Sequence, residues 1–94
     1  MNPNDMEGPQ AENPIDTQAQ KAFLKALAWY RMPFGKYRDQ YLLDLPLPYL
    51  VWFQRKGFPE GRLGMYMEAM LEIKDNGLEG LLYQIRKEFP EDAA

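Results

Sequence analysis

A mainly α-helical (α+β) domain is expected of this chain: four helices, with a short two-stranded β-hairpin between helix 1 and helix 2. Three observations carry that expectation. Apolar residues recur at three- and four-residue spacing in four stretches. Pro and Gly punctuate the boundaries between those stretches. Finally, Phe34 to Leu43 is a ring-rich run around Asp39, a residue tolerated in turns.

Residues 1–15 hold Pro3, Pro9 and Pro14 among Asn and Gln without a hydrophobic period, the composition of a disordered N-terminal arm. Asp16 or Thr17 is the expected cap of a helix running to about Tyr30, with Ala19, Phe23, Ala26, Leu27 and Tyr30 on its inner face. Pro33 ends it. Phe34-Gly35-Lys36-Tyr37 and Tyr41-Leu42-Leu43 then form the expected hairpin, with Gly35 at a bulge or a point of close backbone approach. Two strands alone are marginal, so the hairpin must lean on helices. Pro46 or Pro48 opens the second helix, which runs to Lys56 and stops at Gly57. The third spans about Gly61 to Asp75 and buries Leu63, Tyr66, Met67, Met70, Leu71 and Ile73. Asn76-Gly77 turns it into a fourth, Leu78 to Phe89, expected to bury Leu78, Leu81, Leu82, Ile85 and Phe89. The single helical domain thus covers residues 16–90, and residues 91–94 are expected to fray.

Much chemistry is excluded by inventory. The chain has no Cys, His or Ser, and Thr17 is its one Thr. Mechanisms built on a Ser or Cys nucleophile or a His base are therefore closed to it. The soft and borderline ligands of zinc, copper and non-haem iron sites are missing too. Candidate acids and bases reduce to Asp39, Asp44, Glu60, Glu68 and Glu72, none in a pairing that demands catalysis. No catalytic residue, metal, cofactor or small-molecule substrate is assigned. The polar, acidic start and the absence of an apolar run of about 20 residues point to a cytoplasmic protein without a membrane span.

Charge is segregated along the chain. The net charge is −3, but residues 1–20 carry −4, residues 21–64 carry +5 and residues 65–94 carry −4. Nine of the thirteen aromatic residues lie in residues 29–58, inside the basic segment. A local field attractive to anions can thus exist on an acidic protein.

The string Met32-Pro33-Phe34-Gly35-Lys36-Tyr37, Leu43-Asp44-Leu45-Pro46, Tyr49-Leu50, Trp52-Phe53, Lys56-Gly57-Phe58-Pro59, Gly61-Arg62-Leu63-Gly64 and Leu71-Glu72-Ile73-Lys74-Asp75-Asn76-Gly77-Leu78 resembles the short bacterial family described as putative quorum-sensing-regulated virulence factor. The likeness covers about residues 29–82. It implies a regulatory or virulence association rather than a reaction. One departure is visible: the family usually reads Lys-Gly after its Phe-Gly-Lys-Tyr core, where this chain has Arg38-Asp39. Residues 33–53 also resemble an accessory segment of some proofreading-type exonucleases, which implies nucleic acid without nuclease activity.

Two function classes follow. The first is a non-enzymatic regulatory or interaction module that binds a protein partner, in the simplest case a second copy, through the hairpin and the second helix. Its apolar anchor is Tyr37, Tyr49, Trp52, Phe58 and Met65, beside Pro46 and Pro48. The alternative is a nucleic-acid or nucleotide-phosphate binding accessory, in which Lys36, Arg38, Arg55, Lys56 and Arg62 neutralise phosphates while an exposed ring stacks on a base. A pI near 4.9 argues against the second.

Overall fold

Helix α1 spans Asn13–Trp29 in a computed structural model that describes residues 13–91. The helix starts ahead of the expected caps Asp16 and Thr17, so residues 13–15 belong to it rather than to the arm. Pro14 is compatible with a first turn, where its missing N–H costs nothing. The rest of the expected arm lies outside the described residues, as does the expected frayed end beyond Glu91. The inner face is rolled relative to expectation. Leu27 and Ala28 are fully buried and Phe23, Leu24, Trp29 and Tyr30 partly so, whereas Ala19 and Ala26 are exposed.

The expected β-hairpin is not formed, and no strand or sheet exists among the described residues. Residues 30–41 instead make a closed loop with one antiparallel bridge, Arg31 to Tyr41. The Met32 amide donates to the Gln40 carbonyl at 2.7 Å, the Asp39 amide to the Met32 carbonyl at 2.7 Å, and the Leu42 amide to the Tyr30 carbonyl at 2.9 Å. Beyond Met32 the ladder cannot continue. Pro33 has no N–H to give, and Gly35 and Asp39 sit at φ +80° and +71°. On the other arm, the chain winds into a 3-10 turn, Leu42–Asp44. Burial explains the choice: Leu42 and Leu43 are both at or below 1% exposure. Adjacent residues of a strand point to opposite faces, so a half-exposed ribbon would leave one leucine in water.

Helix α2 (Leu47–Lys56) begins with Pro48 in its first turn and ends at Gly57, whose φ of 104° suits a residue without Cβ. Helix α3 (Arg62–Asp75) buries Leu63, Tyr66, Met67, Met70 and Leu71, as its apolar spacing indicates, while Ile73, also expected inside, is only partly covered. Helix α4 (Glu79–Glu88) follows the turn at Asn76-Gly77. Of the five residues expected inside from this region, Leu82 is buried and Ile85 and Phe89 are partly covered, while Leu78 and Leu81 are about half exposed. The helix is rolled so that Leu82, Ile85, Arg86 and Phe89 share the covered side.

Packing is pairwise. α1 lies against α4 and α2 against α3, and the 3-10 turn touches both α1 and α3, joining the two pairs. Leu42, Leu43 and Leu45 meet Leu27, Met32, Leu50, Met67, Met70 and Leu82 in the core. Each such side chain contributes about 1.5–3 kcal/mol by leaving water. The consequence for function is positional. The 30–41 loop and the start of α2 are anchored from beneath by leucines, with Phe34 and Trp52 at the surface and Tyr37, Tyr49 and Phe53 partly buried against the core.

Candidate functional site

Four rings form a braced ledge where the loop meets α2. Tyr37 and Tyr49 lie 4.6 Å apart at 69°, Tyr49 and Phe53 5.3 Å apart at 84°, and Trp52 and Phe53 5.0 Å apart at 89°. These are edge-to-face contacts, the arrangement that opposed ring quadrupoles favour. Tyr37, Tyr49 and Phe53 are partly buried, whereas Trp52 is 51% and Phe34 46% exposed. With Lys36, Pro46 and Pro48 they line a groove of about 570 Å³. A second hollow of about 430 Å³ lies beside it, lined by Leu47, Pro48, Val51, Trp52 and Arg55. Trp52 therefore stands between two apolar depressions.

The local backbone explains how the loop and α2 bring these rings together. Gly35, at positive φ, brings the loop close enough to α2 that a Cβ there would lie 3.5 Å from the Tyr49 hydroxyl. Spacing along α2 then places Tyr49, Trp52 and Phe53 on the loop side while Leu50 points into the core.

The cations divide between this ledge and other faces. The Lys36 ammonium lies 5.5 Å from the Tyr37 ring centre and that of Lys56 lies 5.9 Å from the Trp52 ring, at the outer limit of a cation–π contact. Arg55 lines the second hollow. None of Lys36, Arg38, Arg55, Lys56 or Arg62 makes an ion pair among the described residues, where the one salt bridge is Arg31 to Glu91. Arg38 and Arg62 are exposed but line neither depression. Phe58 is partly buried against the core and Met65 stands exposed on α3, again outside both. The structure thus gathers Lys36, Tyr37, Tyr49, Trp52, Arg55 and Lys56, and leaves Arg38, Phe58, Arg62 and Met65 apart.

A second polar cluster escaped sequence reasoning. The Arg31 guanidinium stacks 4.3 Å from the Tyr41 ring centre and donates to the Asp39 carbonyl at 3.0 Å, the Tyr41 hydroxyl at 2.7 Å and the Glu91 carboxylate at 3.3 Å. Tyr41 in turn donates a short hydrogen bond to Glu91. Arg86 lies over Trp29 at 4.7 Å and over Tyr41 at 4.6 Å, and its Nε donates to the Ala28 carbonyl at 2.9 Å. The Trp29 indole N–H closes the group by donating to the Phe89 carbonyl at 2.8 Å. The hydrogen bond from Tyr41 holds the Glu91 carboxyl below its ordinary pKa, and the same bond raises that of the Tyr41 hydroxyl. Glu91, expected to fray, is therefore tied down. Its partners lie 50 and 60 residues away, so no local pattern could show this. One signal was present: Arg86 falls four residues after Leu82 and three before Phe89, on the covered stripe.

The family described as "Putative quorum-sensing-regulated virulence factor" matches residues 20–85, well over half of the sequence. The chain belongs to that family. The "Uncharacterized protein YpeB" of Escherichia coli strain K12 is 49% identical to it over 57 residues, which are 60% of this chain and 79% of the relative. The same figures hold for "Uncharacterized protein YpeB" of Escherichia coli O157:H7. No solved structure matches. The family match contains the whole ledge but stops before Arg86, Phe89 and Glu91, so the family region includes Arg31 and Tyr41 without the carboxylate that ties them together. No helix among the described residues is long and apolar enough to cross a membrane.

Proposed function

We propose that this protein is a non-enzymatic docking module, which binds a protein partner on the ledge formed by the 30–41 loop and α2. The observation that carries this reading is the exposed ring pair Phe34 and Trp52 on a braced aromatic bed, rimmed by Lys36, Arg55 and Lys56 without carboxylate partners among the described residues. An apolar anchor inside a charged rim is the usual anatomy of a binding hot spot. Aromatic rings already ordered by their neighbours lose little freedom on contact, which favours binding.

The same cations and rings support a second reading, single-stranded nucleic acid, because unpaired Lys and Arg beside an exposed indole form a stacking platform. One experiment separates the two. The tagged full-length chain is compared with the variant K36E/R38E/R55E/K56E in capture from its host, with and without nuclease treatment. Docking of a protein predicts native circular dichroism for the variant, loss of the captured partner, and no effect of nuclease. Retention of every partner by a natively folded variant contradicts the assignment. Salt adds a second arm: a multi-phosphate contact weakens by orders of magnitude between about 50 and 200 mM, and a protein contact with an apolar anchor and a charged rim weakens far less. A second copy of the chain as partner would show as concentration-dependent mass in sedimentation.

A further inference from the structure

The two depressions on either side of Trp52 narrow the kind of segment that could lie there, if the docking reading holds. Three modes of peptide recognition compete, namely strand addition, a helix in a groove, and a polyproline II segment on an aromatic bed. Strand addition needs an open sheet edge, and none exists among the described residues. A docked helix needs one continuous trough for anchors three and four residues apart. Here the trough is divided, because Pro48 and Trp52 line both hollows and form the wall between them. A polyproline II segment suits a divided bed. Its three residues per turn set apolar side chains on either side of a ridge, and its backbone, without internal hydrogen bonds, asks for no ladder partner.

Rigidity and charge agree with that choice. The rings of Tyr37, Tyr49, Phe53 and Trp52 are held edge-on in sequence, so the bed is formed before a ligand arrives. A preformed surface gains most from a ligand that is itself stiff. Lys36 lines the first hollow and Arg55 the second, while Lys56 flanks the indole. We infer that the ledge receives an extended, proline-rich protein segment with acidic residues at its two ends, the prolines seated on either side of Trp52 and the acids facing Lys36 and Arg55.

The test titrates the isotope-labelled full-length chain with three probes: a synthetic peptide of about ten residues with a Pro-Pro-Leu repeat between Asp-Glu ends, the same peptide with every Pro replaced by Ala, and an oligothymidylate. The expected result is a saturable shift of the Trp52 indole N–H signal and of the backbone amides of residues 34–37 with the proline peptide, the amides serving as the reporter in W52A. Affinity should fall at least about tenfold with the alanine peptide, with W52A, and with K36E/R55E. The last variant changes only exposed side chains and guards against misfolding of W52A. Equal binding of the proline and alanine peptides, or no saturable shift with either, overturns the proline-rich class. Docking of some other protein segment would then still stand or fall by the capture experiment. A shift produced by the oligothymidylate alone, lost as salt rises, overturns both.

Discussion

Gly64 sits in the first turn of α3, where alanine would normally be the better helix former. The structure reverses the sign. A Cβ at this position would fall 1.7 Å from the Pro59 carbonyl oxygen, so α3 and the Phe58-Pro59 segment would have to separate. Gly64→Ala is expected to destabilise by about 1–3 kcal/mol, as overpacking against backbone does, read as a lower denaturant midpoint with an unchanged slope. Asp39 offers the opposite case. It holds φ +71°, a conformation that costs an L-residue and costs glycine nothing. The resemblance had already marked this position as one where the family usually has glycine, and the dihedral supplies the reason. Asp39→Gly is expected to leave the fold intact and to stabilise by up to about 1 kcal/mol. The gain is limited because glycine also frees the unfolded chain. A midpoint that drops instead would mean that the Asp39 side chain supports the loop.

Among the elements, α4 is held by a latch rather than by a full apolar stripe. Leu78 and Leu81 stay half exposed while Arg86 stacks under Tyr41 and Glu91 reaches Arg31 and Tyr41 just beyond the helix end. The depressed pKa of Glu91 ties this latch to pH. A carboxyl that binds its proton less readily when folded adds stability above its unfolded pKa, and loses it as pH falls through the folded value. Thermal melts from about pH 7 down to about pH 3 should therefore show an acid limb that is shallower in Glu91→Gln, whose melting temperature at neutral pH should already be lower. The raised Tyr41 pKa acts on the alkaline side: its contribution holds below about pH 10 and fades as pH climbs through the folded value. Coincident acid limbs for the two proteins would show that the latch does not couple α4 to the loop.

For the molecule as a whole, stability rests on one small core joined by the Leu42–Asp44 turn. Met70 is fully buried at the α3 side of that core. Its truncation to alanine should cost about 2–5 kcal/mol, a large share of the ~5–15 kcal/mol usual for a domain, measurable as a single cooperative shift in chemical denaturation. Four helices, their punctuation by Pro48, Gly57 and Asn76-Gly77, and the inner face of α3 were legible in the sequence. Each depends on the spacing of neighbours and on the backbone preferences of single residues. The ring-rich, basic stretch could likewise be read as a unit, since Lys36, Tyr37, Tyr49, Trp52, Arg55 and Lys56 lie within 21 positions of one another. What could not be read was how the pieces face each other. The ring-rich run around Asp39 reads as a hairpin, but placing both Leu42 and Leu43 inside makes the second arm a 3-10 turn. The roll of α1 and α4, the separation of Phe58, Arg62 and Met65 from the ledge, and the capture of Glu91 by Arg31 all involve partners distant along the chain. Local spacing specifies a helix and its apolar stripe, but which part of that stripe meets another surface depends on where the remaining helices find room.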